Sequence, residues 1–228
     1  MKKLLVFLII FNSLNFIAQN PIYNKDSTVK VNLFGGSPSI GVSSFIHDFN
    51  ALNQELSNNQ APELNDIGFG FSLQQTFFSL ENLEKDKQWV LSHSFNWQNT
   101  TQDNDSIQTG LNYYQYYWSL NYNLLPASKE VNLYIGLGLG GSFYNLSISD
   151  ITDLNNFESV LETFNSSNIS KRNGIAQLNI ACQTKFISLG LAYTFNAING
   201  KWKQFENKIN DGPDMGLGVF QLKVINVF

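Results

Sequence analysis

The chain reads as an all-β protein, an eight-stranded antiparallel transmembrane up-and-down β-barrel with short helices in the loops at one end. Three observations predict this. Eight segments of about ten residues alternate apolar and polar side chains with the two-residue period of a strand. Their connections are alternately longer and shorter, as a succession of membrane hairpins requires. The composition completes the case: charged residues are 14% of the chain, where a soluble domain usually has about a quarter, and aromatic residues are also 14%. Beyond the N-terminus no segment is apolar for the roughly 20 residues that a membrane helix needs. A barrel hides its hydrophobicity in alternation, so a slightly negative mean hydropathy is compatible with life in lipid.

The N-terminus is read apart from the fold. Lys2 and Lys3 precede an unbroken apolar run, Leu4 to Phe11, and Ile17-Ala18-Gln19 offers a signal-peptidase site. Residues 1–18 are therefore expected to be a secretory signal peptide and residues 19–228 the barrel domain. The Ala-Gln cut resembles signals of Bacteroidota. Cleavage leaves 210 residues and takes the formal charge from −4 to −6, which argues against nucleic acid as a partner. A single cysteine, Cys182, can make no intrachain disulfide and lies far from the cut, so it cannot serve as a lipoprotein anchor.

The strands follow in order. Val29 to Phe34 starts the alternation, Gly35-Gly36-Ser37-Pro38 breaks it, and Ser39 to Ile46 resumes it, a pattern that fits a bulged or irregular first strand. In the connection from His47 to Asn65, Phe49, Leu52 and Leu56 recur at helical spacing after Asp48, a candidate N-cap, and predict a short amphipathic rim helix. The second strand, Ile67 to Phe78, sets Ile67, Phe69, Phe71, Leu73 and Phe77 outward against Gly68, Gly70, Ser72, Gln74 and Thr76. The third, Trp89 to Gln98, sets Trp89, Leu91, Phe95 and Trp97 outward, with His93 the polar exception. The fourth, Thr109 to Asn123, opposes Tyr114, Tyr116, Trp118, Leu120 and Tyr122 to Tyr113, Gln115, Tyr117, Ser119 and Asn121, an aromatic density suited to a membrane-interface girdle.

The fifth strand alternates most cleanly, Val131, Leu133, Ile135, Leu137 and Leu139 against Asn132, Tyr134, Gly136, Gly138 and Gly140. Within the long connection Ser149 to Asn173, Leu154, Phe157, Leu161 and Phe164 predict a second rim helix. Ile175 to Gln183 and Ile187 to Phe195 are the sixth and seventh strands, joined by a turn at 184–186. The last strand runs from Gly216 to Phe228. Phe220, Leu222, Val224 and Phe228 share one face, Gln221 and Lys223 the other, and Asn226 falls on the otherwise apolar face.

That last strand resembles the closing strand of outer-membrane β-barrels, a family in which a terminal Phe after apolar residues at every second position is the address read by the insertion machinery. From about Val29 to Phe228, strand period, loop alternation and the terminal Phe are similar to small outer-membrane barrels of the OmpA and OmpX type. The resemblance implies a multi-pass barrel in the cell outer membrane, with outer-membrane lipid and lipopolysaccharide around it. It also implies recognition by the insertion machinery through the Phe228 strand, and it leaves room for a membrane-protein partner. With both ends periplasmic, segments 47–65, 99–108, 149–173 and 196–213 are expected outside, and 79–88, 124–130 and 184–186 are expected as periplasmic turns. No peptidoglycan-binding domain is expected after the barrel. The implied role is non-enzymatic: structural, surface-binding or as a subunit of a complex.

No residue is assigned a catalytic, cofactor-binding or metal-ligating role, and no cofactor is expected. Gly136-Leu-Gly138-Leu-Gly140-Gly141 formally satisfies G-x-G-x-x-G, but strand rather than helix follows it, and alternate glycines in a narrow lumen make room for Tyr113, Tyr117 or Tyr134. His47 and His93 lie on different elements without ligand-like spacing, and both are expected to be exposed or interfacial. A lipid-modifying enzyme is a competing reading. The lipid A deacylase pattern His-x-Ser would need serine two residues after His93, where Phe95 stands, while Ser92 and Ser94 point the other way. A palmitoyltransferase-like trio would draw on His47, Asp48 and a loop serine. A small pore is also compatible with the pattern, and its lumen would carry the single cation Lys223. A soluble lipocalin-like barrel would need charges on its outer wall that these strands lack. Asp26-Ser27-Thr28 and Asp105-Ser106-Ile107 resemble the short O-glycosylation acceptor of Bacteroidota.

Overall fold

The computed structural model describes residues 29–33, 38–82, 87–126, 130–150, 169–204, 207–208, 215–216 and 218–226. In chain order these form β1 (Val29–Leu33), β2 (Ser39–Ile46), helix α1 (Asn50–Asn58), β3 (Ile67–Asn82), β4 (Lys87–Asp103) and β5 (Ile107–Asn123). There follow β6 (Asn132–Asp150), β7 (Ile169–Gln183), β8 (Ile187–Ile198), β9 (Lys203–Gln204), β10 (Asn207–Lys208) and β11 (Gly218–Asn226). Eight of them close a ring. Strands β2 to β8 pair in sequence, and β11 joins β8 to β2, every pairing antiparallel. Closure removes the sheet edges that an open antiparallel sheet would present.

The interrupted first strand is observed as expected. β1 pairs with the far end of β3, Val29↔Asn82 to Leu33↔Phe78, and β2 pairs with its near end, Ser39↔Gln74 to Ile46↔Ile67. The two are halves of one stave, separated at the break that ends in Pro38.

Side chains sort by face as the alternation predicts. Tyr113, Gln115, Tyr117, Ser119 and Asn121 are buried in the lumen, whereas Tyr116, Trp118 and Leu120 are exposed outside. On β11, Val219, Gln221, Lys223 and Ile225 point inward, and Phe220, Leu222, Val224 and Asn226 point outward. The glycines of β6 leave room for specific neighbours. A Cβ at Gly138 would stand 3.1 Å from Tyr117 Cδ2, one at Gly136 2.1 Å from Asn121 Oδ1, and one at Gly140 2.0 Å from the Tyr116 carbonyl oxygen. The G-x-G-x-x-G run therefore lies inside a strand.

Four expectations are corrected. The alternation of β3 does not run evenly to Phe78. The register against β4 shifts between Thr76 and Phe78, so Phe77, packed edge-on against Trp118 at 5.4 Å, and Phe78, paired with Leu91, both serve the outer face, while Ser79 turns inward. The strands also run past the expected boundaries. β4 and β5 extend to Asp103 and from Ile107, leaving only 104–106 as a loop instead of 99–108. β6 reaches Asp150 and β7 starts at Ile169, inside the segment 149–173 that the pattern assigns to a loop, and β3 runs to Asn82. Backbone pairing continues where the apolar alternation stops, because it needs no particular side chain. Part of the expected loop 196–213 is a short hairpin, β9–β10, that extends the sheet from β7. Finally, Phe49 rather than Asp48 occupies the N-cap position of α1. Asp48 instead accepts from the Asn50 backbone N–H at 3.2 Å and its side-chain amide at 2.7 Å.

The expected signal peptide at 1–18, Asp26 to Thr28, the expected second rim helix with Leu154, Phe157, Leu161 and Phe164, and the terminal Phe228 lie outside the described residues.

Candidate functional site: a closed lumen with buried lysines

The outer wall carries an apolar belt. On β4 the outward residues run Trp89, Leu91, His93, Phe95, Trp97 and then become Asn99 and Thr101. On β5 they run from Tyr122 to Tyr114 and then become Asn112, and on β6 from Leu133 to Phe143 and then Asn145 and Ser147. The belt is thus about as tall as the 9–11 residues that a tilted strand uses to cross hydrocarbon, and aromatic rings mark its border at the long-loop end. Above that border the outward side chains are amides and hydroxyls, such as Asn99, whose Oδ1 accepts from Thr101 at 3.1 Å. His93 sits within the belt, opposite Gln75 and 5.1 Å from the Trp118 ring.

The lumen is shut at the long-loop end by an apolar plug. Helix α1 turns Leu52 and Leu56 inward, and with Phe45, Phe49 and Leu64 they pack against Tyr113, Tyr144 and Leu146 from the wall and Trp202 and Met215 from the last loop. The Asn53 side chain clamps the return segment, accepting from the Leu64 backbone N–H at 2.8 Å and donating to its carbonyl at 2.9 Å. The last loop docks on the start of the helix through Gly216. Its φ of +69° and the nearness of the Asp48 Cβ, 2.8 Å from where its own Cβ would be, both call for glycine.

His47, expected to be exposed or interfacial, is corrected to a buried place just past the end of β2, only 4% exposed beneath the plug. Its ring stacks on Phe49 at 4.7 Å and meets Tyr113 edge-on at 5.0 Å. Nε2 lies 2.7 Å from Gln98 Oε1, an oxygen that only accepts, so Nε2 carries the proton. Burial holds the imidazole pKa down at about 4, with the Gln98 bond opposing the shift. His47 and Asp48 do not assemble with a serine among the described residues: Asp48 bonds Asn50, and His47 bonds Gln98. Ser92 and Ser94 face the lumen and His93 the belt, as expected, and Ser92 Oγ lies 2.9 Å from Ser119 Oγ.

At mid-height an amide layer bridges the lumen. Asn96 donates to Gln115 Oε1 at 2.7 Å. Gln115 on β5 reaches Thr194 on β8, three staves away, at 2.8 Å, and Gln177 donates to the same hydroxyl at 3.0 Å. Toward the short-turn end the lumen opens into a polar cavity of about 220 Å³, lined by hydroxyls and amides including Ser94, Ser119, Asn121 and Asn179. Lys223, the cation read from the sequence, projects into it from β11, and the expectation of a single lumenal cation is corrected, since Lys171 on β7, paired with the inward Tyr144, is also buried, at 4% exposed. Lys223 donates to Tyr117 Oη on β5, the stave diametrically across the ring. Sequence reasoning placed both residues in the lumen but not together, since their separation of 106 positions gives no local signal.

No family model and no curated protein sequence matches the chain. Among solved structures, it is similar to Ail, the attachment invasion locus protein of Yersinia pestis, in complex with the heparin analogue sucrose octasulfate, at 16% identity over 84% of this chain and 97% of that one, with a TM-score of 0.49. It is also similar to Ail alone, at 16% identity over the same shares with a TM-score of 0.43. Neisserial surface protein A aligns at 12% identity over 88% of this chain and 97% of that one, with a TM-score of 0.40.

Proposed function

We propose that the chain is an integral outer-membrane β-barrel, exported by the signal peptide at 1–18, that serves a non-enzymatic structural or surface-binding role rather than conduction. One observation carries this reading: a closed ring wears an apolar belt of bilayer height while its lumen is stoppered by the plug and the amide layer. The long-loop end faces outside, and the polar extensions of β4 to β7 beyond the belt are the working surface. Arg172, exposed at the belt border with its guanidinium 5.5 Å from the Phe143 ring, and exposed Lys203, paired into the same corner through Ser170, favour contact with anionic headgroups such as those of lipopolysaccharide.

Topology is tested by labelling intact cells with a membrane-impermeant maleimide. Cysteine introduced at the exposed tip (Asn104→Cys) should react, and cysteine at the short turn (Lys185→Cys) should react only after lysis. The reverse pattern would overturn the orientation. In planar bilayers the refolded chain should show no steady conductance, and a stable open level would overturn the closed reading.

A further inference from the structure

The geometry points to a binding site for a small oxyanion, of carboxylate or phosphate type, inside the lumen at Lys223. Lys223 is 6% exposed, and an ammonium withdrawn from water is costly unless it is compensated. Its hydrogen bond goes to Tyr117 Oη, a phenol oxygen and not a carboxylate. An ammonium has three donors, so two remain for whatever occupies the cavity. No carboxylate lines that cavity among the described residues. Among the described residues, Glu81 sits on the inward face beside Gln88 and lies 4.0 Å from Lys30, so its charge is locally balanced.

The rest of the lining suits an oxyanion. Ser94 and Ser119 offer hydroxyls, and Asn179 an amide, around the same space. These groups hydrogen-bond oxygen without adding charge of either sign. The volume, about 220 Å³, falls below the roughly 300 Å³ at which ordinary ligand pockets begin and equals room for about seven waters. The occupant is therefore an inorganic anion or a small organic acid and not a lipid or a sugar chain. Access is from the short-turn end, where Tyr134 donates to Gln88 Oε1 at 2.9 Å across the mouth, because the amide layer and plug close the other side. The site is separate from the working surface proposed above and does not depend on it.

The test is a titration of the refolded full chain in micelles, followed by backbone amide NMR shifts, with acetate or inorganic phosphate exchanged against chloride at constant ionic strength. Saturable shifts are expected at amides around the cavity, such as Gly190, Asn179 and Lys223, and methylammonium should produce none. Lys223→Met should weaken anion binding roughly tenfold to a hundredfold, the worth of one hydrogen bond to a charged group. Should that variant not fold, Lys223→Arg and Tyr117→Phe decide the matter: both keep a cation in the cavity and should keep the saturable shifts. Absence of saturation for both anions in the wild type, or saturation unchanged in a folded Lys223→Met, would overturn the site. Preference for acetate or for phosphate would identify which oxyanion class fits.

Discussion

Acid should loosen the plug, and His47 sets by how much. Its ring is neutral in the closed rim, with a pKa lowered from 6.5 to about 4 by burial. Once the rim opens and wets the ring, the ordinary value returns. The sign follows from which state binds the proton: the open state takes it up first, so the closed state is fully favoured above about pH 6.5 and loses that advantage as pH falls toward 4. A shift of about 2.5 units corresponds to a total of roughly 3 kcal/mol, of which about 2 kcal/mol is gone by about pH 5. The opening equilibrium should then rise roughly thirtyfold between about pH 7.5 and 5. Hydrogen exchange at the α1 amides, for example Asn53, bonded to the Phe49 carbonyl at 2.7 Å, reads that equilibrium after correction for intrinsic rates. His47→Gln removes the titrating group and should flatten the response. A flat wild-type profile would refute the reasoning, and so would an equal rise of opening in His47→Gln, which would show that the imidazole is not the group responsible.

Other expectations rest on the same structure. Leu137, 65% exposed on the belt, should tolerate arginine poorly. Leu137→Arg is expected to lower stability in lipid vesicles by about 2–4 kcal/mol, and an unchanged urea transition would show that this face does not meet hydrocarbon. Gly140→Ala places a Cβ 2.0 Å from the Tyr116 carbonyl oxygen and should cost about 1–3 kcal/mol or more. Gly190→Ala, whose nearest neighbour is 3.7 Å away, should leave the heat-dependent gel mobility of a folded barrel intact. Leu56→Ala removes a side chain that is 3% exposed and should cost about 2–5 kcal/mol of plug stability, speeding exchange in α1 while the ring stays folded. Glu81→Gln should change stability by less than about 1 kcal/mol in a denaturant titration, since the pair with Lys30 is long and partly solvated.

The staves were legible in the sequence because each lipid-facing position must be apolar and each lumenal one need not be. Where that pressure ends, legibility ends too: Asn99, Thr101, Asn145 and Ser147 lie on strands that continue in backbone pairing with nothing apolar to announce them. The shift at Phe77 was hidden because Phe77 and Phe78 both satisfy an outward place, so the run looks regular in either register. The helix was readable from Leu52 and Leu56, but its task was not. Burial of His47 depends on Tyr113, Tyr144 and Gln98, partners that only ring closure brings together. Lys223 was legible as a lumenal cation, whereas Lys171, also turned inward, fell in a segment that reads as a loop, and the position of Lys223 opposite Tyr117 follows from the number of staves, which no local window contains.

The ring is joined unevenly, and this has a consequence for how it forms and comes apart. β5 and β6 share seventeen residue pairs, Ile107↔Asp150 to Asn123↔Tyr134, between segments that neighbour each other in the chain. Among the described residues the seam of β11 with β2 has six, Phe220↔Ile46 to Ile225↔Gly41, between segments from opposite ends of it. Bringing the seam together fixes the longest loop in the molecule for the smallest return in pairing. The hairpins of the middle are thus expected to set first and the seam to lock last. Under load, the same six-pair ladder is the weakest line in the wall, so a pulled or denatured barrel should unroll from β11 and β2 inward, one hairpin at a time.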